Sequence, residues 1–175
     1  MEPCLIVPLT KSPHATGRYG PRAWQDWYRG LLKARNILSA SPDSCILVIS
    51  AVHITGEKSE EELYVKALEE LGVKRGKLVV IRKAQETIEQ IRIAVDMGRS
   101  LGLQPVFIST WLHYPRVRWL CRGMQARHVV AWGIPRPREA ITDVVLAFLF
   151  PVIDLAGKRE WFLNRVTKRR MMGKH

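Results

Sequence analysis

Five short apolar runs punctuate the chain: Cys4 to Leu9 (CLIVPL), Cys45 to Val52 (CILVISAV), Lys77 to Ile81 (KLVVI), Val106 to Ile108 (VFI) and His128 to Trp132 (HVVAW). A strand with one wet face alternates apolar and polar residues. A nearly continuous apolar strand is expected where both faces are covered, as in a parallel sheet packed between helices. The stretches between these runs place apolar residues at i, i+3 and i+4, the rhythm of an amphipathic helix. Trp24 to Ala40 is the first, with Trp24, Trp27, Tyr28, Leu31, Leu32, Ala34, Arg35 and Leu38 following that spacing. A second runs from Ser59 to Leu71 and stops at Gly72, and a third from Thr87 to Leu101 with Gly102 as its C-cap. A fourth follows Ile108 after a polar turn and ends at Gly123. Strand and helix therefore alternate five times, with short links after the first. That order predicts a Rossmann-like three-layer α/β/α sandwich of about five mainly parallel strands joined by right-handed crossovers.

The C-terminal part differs in character. Ile141 to Leu155 is almost continuously hydrophobic, interrupted by Asp143, Pro151 and Asp154, and Lys158 to His175 then carries Lys158, Arg159, Arg165, Lys168, Arg169, Arg170 and Lys174. The expected division is an α/β domain over residues 1–140 and an apolar helix with a basic tail over 141–175, packed on or appended to the same domain. At 175 residues the chain is large enough for one complete hydrophobic core.

The formal net charge of +12 favours an anionic partner: a phosphorylated small molecule, an anionic membrane surface or nucleic acid. Trp111, Tyr114, Arg116, Arg118, Trp119 and Arg122 mix aromatic and basic residues as single-strand binders do. Trp119, however, fits a core position, and basic charge alone is unspecific, so nucleic acid is the least favoured of the three. Cys4, Cys45 and Cys121 show neither CxxC spacing nor paired histidines. A zinc site is not expected, and the cysteines read as reduced core thiols. No basic region leads into an apolar signal segment, and no apolar run approaches the roughly 20 residues a spanning helix needs. The expected localisation is cytoplasmic, or peripheral at the inner membrane surface.

In an open α/β sheet, ligands bind outside the carboxyl ends of the strands. Ser50 and His53 end the second run. Thr87 and Glu89 open the third helix, and Ser109, Thr110, His113 and Arg116 cross from the fourth strand into its helix. Arg116 suits a phosphate or carboxylate through its planar fork, and His113 suits acid–base work near neutral pH. Glu60 or Glu89 is placed to orient His113 or to bind a ribose hydroxyl. Plain N-capping explains Ser109, Thr110 and Thr87 equally well, and Ser59 with Glu62 fits a capping box. The first strand-to-helix link is long and holds Thr10, Lys11, His14 and Arg18, but contains no GxGxxG. No activated nucleophile, cluster of metal-binding carboxylates or cofactor signature stands out.

These residues also resemble a known family. The chain is similar to the YdcF-like family in Ser50-Ala51, where the family has Ser-Gly, and in Ser59-Glu60 at a helix start ahead of Gly72-Val73. Thr87-Ile88-Glu89-Gln90 matches Thr-x-Glu-Asn with Gln in the last place. Ser109-Thr110-Trp111-Leu112-His113-Tyr114-Pro115-Arg116 keeps the spacing of Thr-Ser-x-x-His-x-x-Arg with the hydroxyls exchanged. An Arg in the first helix matches Arg29, or else Arg35. The resemblance runs from Cys4 to Trp132. It implies a Rossmann-like domain of undefined activity, and a role in cell-envelope metabolism. Ile81 stands where the family usually has a Glu, and the N-terminal anchor common in the family is not seen. The expected function is binding, with or without catalysis, of a nucleotide-like or phosphorylated small molecule. His113 and Glu89 are its catalytic candidates; Ser50, His53, Glu60, Thr87, Ser109, Thr110, Arg116 and Arg29 are its ligand-binding candidates. The alternative is a non-enzymatic module that meets an anionic membrane surface or nucleic acid through the basic tail.

Overall fold

The apolar runs form one parallel sheet. The structure, a computed structural model, describes residues 2–9, 25–49, 60–81, 87–134, 137–158, 160–162 and 164–165. Its elements are β1 (Cys4–Leu9), α1 (Asp26–Ala40), β2 (Cys45–Ile49), α2 (Glu60–Glu70), β3 (Leu78–Ile81), α3 (Thr87–Leu101), β4 (Gln104–Thr110), α4 (Tyr114–Leu120), β5 (Arg127–Ala131) and α5 (Pro137–Leu155). The sheet order is β3-β2-β1-β4-β5, with every pairing parallel. This is the Rossmann-like sandwich expected from the alternation of runs.

Side chains on a strand alternate between faces, and here each face meets its own helices. Ile6, Ile46, Val48, Val106 and Ile108 pack with Trp27, Leu31 and Ala34 of α1 and Tyr64 and Leu68 of α2. Leu5, Val7, Leu47, Ile49 and Phe107 pack with Ile88, Ile91 and Ala94 of α3, Val117 and Leu120 of α4, and Phe150 of α5. Both faces of the central strands are thereby dry, which explains their unbroken apolar sequence. Cys4 and Cys45 open neighbouring strands but join opposite faces, and both remain free thiols. Burial pushes the Cys121 thiol up to about 12 and raises that of Cys45.

The last two helices differ from their expected bounds. α4 is a seven-residue helix that stops at Leu120 instead of running to Gly123, whose φ of 81° places it in the turn that follows. α5 begins at Pro137, so residues 140 and 141 lie in one continuous helix. Two glycines mark close approaches. A Cβ on Gly98 would stand 2.7 Å from the Leu103 carbonyl, where α3 turns back into β4. A Cβ on Gly133 would stand 2.5 Å from the Asp26 backbone, where the exit of β5 crosses the start of α1. No helix among the described residues is long and apolar enough to cross a membrane.

Candidate functional site

The strand order fixes where a ligand site can form. The chain steps outward from β1 to β2 to β3, then returns to lay β4 along the other side of β1. α1, which follows β1, and α4, which follows β4, pack on opposite faces of the sheet, and it is outside the carboxyl ends of two such strands that open α/β sheets hold their ligands. Leu9, the last residue of β1, is level with Ser109 of β4.

Ser109 and Thr110 are strand residues, buried at the end of β4, not the caps of a helix. Alternation sends Ser109 to the face of Phe107, toward α3, α4 and α5, and Thr110 to the face of Ile108, toward α1. The sequence had grouped the two hydroxyls at one helix start; the pleat separates them. A three-residue turn follows. The His113 backbone N–H donates to the Thr110 carbonyl at 3.0 Å, and His113 then occupies the N-cap position of α4 without a side-chain cap bond. Pro115, in the first turn of α4, has no N–H to leave unsatisfied there.

From this turn a chain of polar groups crosses three helices. Arg116 Nη2 donates to Thr87 Oγ1 at 3.2 Å and reaches His113 Nε2 at 3.5 Å. His113 Nδ1 lies 3.5 Å from Asp143 Oδ1 on α5, and these two side chains are 5% and 6% exposed. A guanidinium can only donate, so an imidazole nitrogen facing it can take part only as an acceptor. Arg116 therefore donates to Thr87 and faces Nε2 of His113, while Asp143 lies within ion-pair distance of His113 Nδ1. Asp143 supplies the negative charge that this buried, cation-bearing set needs.

Sequence-derived candidates divide accordingly. Thr87, His113 and Arg116 meet, and Ser109 lies on the same face of the sheet. Glu89 is exposed on the first turn of α3, and the carboxylate beside His113 is Asp143, which the sequence had presented only as a break in an apolar segment. Arg29 is exposed on α1, in the opposite helical layer. Glu60 is the first residue of α2, described here by its backbone alone. Ser50 and His53, and with them Thr10, Lys11, His14 and Arg18, lie outside the described residues. Gln90 donates through Nε2 to the Ile49 carbonyl at 3.0 Å and ties the start of α3 to the end of β2.

A second feature of the same rim had no sequence signal. Trp111 follows β4 and Trp132 follows β5; their rings stack at 6.1 Å and 18°, both exposed. Trp111 Nε1 donates to the Gly133 carbonyl at 3.2 Å, which fixes its ring. The two residues are far apart in sequence, and only the β4–β5 pairing brings them together. Among the described residues no group of three or more His, Cys, Asp or Glu side chains is arranged to hold a metal ion.

Comparison with protein-family models, with curated proteins and with solved structures gave no match.

Proposed function

We propose that the carboxyl-end crevice binds a nucleotide-like or phosphorylated small molecule, with Arg116 as its anion anchor. The observation that carries this reading is the part-buried chain from Thr87 through Arg116 to the buried His113 and Asp143, at the strand ends where the winding reverses. A half-buried guanidinium held by Thr87 of α3 and His113 at the start of α4 is pre-organised. It loses less rotamer freedom on meeting an anion than an exposed lysine would. His113 is then first a positioning residue: its Nε2 holds the guanidinium and Asp143 holds its ring. An acid–base role for His113 requires Arg116 to swing toward the ligand and uncover Nε2. Trp111 and Trp132 supply an exposed aromatic surface on the same rim, suited to a planar base or the face of a sugar. The resemblance to the YdcF-like family supports the same placement through His113 and Arg116, and extends it to an envelope-related phosphorylated metabolite.

The test is thermal shift against a panel of nucleotides and sugar phosphates. At least one should raise the midpoint of the wild type, and Arg116→Ala should lose about tenfold or more in affinity for it, the scale of one charge-assisted contact. Equal responses in both proteins would remove Arg116 from the site.

A further inference from the structure

α5 inverts the usual polarity of a surface helix. Its described acidic groups turn inward: Asp143 to His113, and Asp154 to the indole N–H of Trp119 at 2.9 Å. Every exposed side chain described on the helix is apolar. Ile141, Val145, Phe148, Val152 and Leu155 repeat at alternating steps of four and three residues, which places them on one stripe. Phe148 is 77% exposed, Leu155 73% and Ile141 67%. Scattered apolar residues are normal on a protein surface; a continuous stripe marks a contact surface.

The charges around the stripe identify what it meets. Lys158 and Arg165 are exposed just beyond the C-terminal end of α5, and the Arg165 guanidinium lies 5.3 Å from the centre of the exposed Trp161 ring. α4, which packs beside α5, adds the exposed Arg118, and the turn after it adds the exposed Arg122, over the Trp119 ring at 4.3 Å. The sequence beyond Arg165 adds Lys168, Arg169, Arg170 and Lys174. Glu160, the acidic residue in this part of the chain, pairs with Arg92 at 3.6 Å. A second copy docked on the stripe would bring two cationic borders together. An anionic bilayer offers the complement to both parts: acyl chains for the stripe and phosphates for its border. We infer that the outer face of α5 lies in the plane of an anionic lipid surface, with Phe148 and Val152 inserted and Lys158 and Arg165 at the headgroups.

The test is co-sedimentation of the full chain with vesicles of phosphatidylcholine alone, or of phosphatidylcholine mixed with phosphatidylglycerol. Wild type should partition at least about tenfold more strongly onto the mixed vesicles, the scale of a few surface cations. The double variant Phe148→Glu/Val152→Glu should stay in solution with unchanged circular dichroism. Lys158→Glu/Arg165→Glu, which leaves the apolar stripe untouched, should lose the preference for the anionic vesicles. Wild type remaining in solution with both vesicle types would overturn the inference, as would a Phe148→Glu/Val152→Glu protein that binds like wild type. Light scattering that shows a wild-type dimer lost in that variant, without lipid binding, would instead assign the stripe to a second copy.

Discussion

α1 and α5 flank the same sheet and expose opposite kinds of residue. α1 packs Trp27, Leu31, Ala34 and Leu38 inward and exposes Arg29, Lys33 and Asn36. α5 packs Phe150 inward together with Asp143 and exposes a run of Ile, Val, Leu and Phe. The core needs only part of what α5 offers, because β5 is an edge strand and the helix that follows it covers α4 and the rim more than the sheet centre. The difference teaches that helical periodicity in a sequence shows how many faces a helix has, but not which of them turns toward the protein.

The contrast can be broken by matched truncations. Leu31→Ala on α1 should cost about 3 kcal/mol in urea unfolding, since a fully buried leucine leaves a cavity. Phe148→Ala removes a larger side chain from α5 and should change stability by no more than about 0.5 kcal/mol. Equal costs would mean that the outer face of α5 is packed after all. The inner face of α5 gives the next effect. Asp143→Asn keeps the shape but weakens the partner of His113 Nδ1, and should cost about 1–3 kcal/mol in the same assay. It should also reduce the ligand response carried by Arg116; a variant as stable and as responsive as wild type would disconnect α5 from the site.

The smallest effect concerns a histidine outside this chain of contacts. His128 stacks on Phe107 at 5.9 Å, and burial, with the Arg118 charge added, holds its pKa below the ordinary 6.5. A histidine whose folded pKa is depressed binds its proton more readily when unfolded. Its contribution to stability is whole above pH 6.5 and is lost as pH falls through the unfolded value toward the folded one. His128→Phe should therefore flatten the slope of stability against pH below 6.5, as read from thermal midpoints across pH 5 to 8. An unchanged slope would assign the acid sensitivity elsewhere.

The secondary structure was largely legible because its signals are local. β1 and α3 occupy the residues their patterns indicated, and β2 and β3 begin within one residue of expectation. The fourth strand was under-read: Gln104 and Pro105 extend it, because pairing with Cys4 and Leu5 of β1 holds an extended backbone through a proline. Within the candidate site, Thr87, His113 and Arg116 were legible from their places at helix starts. Asp143 was not, since nothing in an apolar run distinguishes an inward carboxylate from a solvated one. Trp132 escaped for a similar reason: at the end of a strand it reads as one more core aromatic.

The amino-acid order alone determined the alternation of strand and helix, the dry central strands and the cationic character of the C-terminal part. Hydrophobic period and charge are properties of neighbours in the chain. The tertiary structure alone decided the strand order β3-β2-β1-β4-β5, the separation of Ser109 from Thr110, the partnership of His113 with Asp143 and the outward turn of the α5 stripe. Each of these depends on contacts between segments tens of residues apart, where packing and the satisfaction of buried polar groups outweigh any local preference.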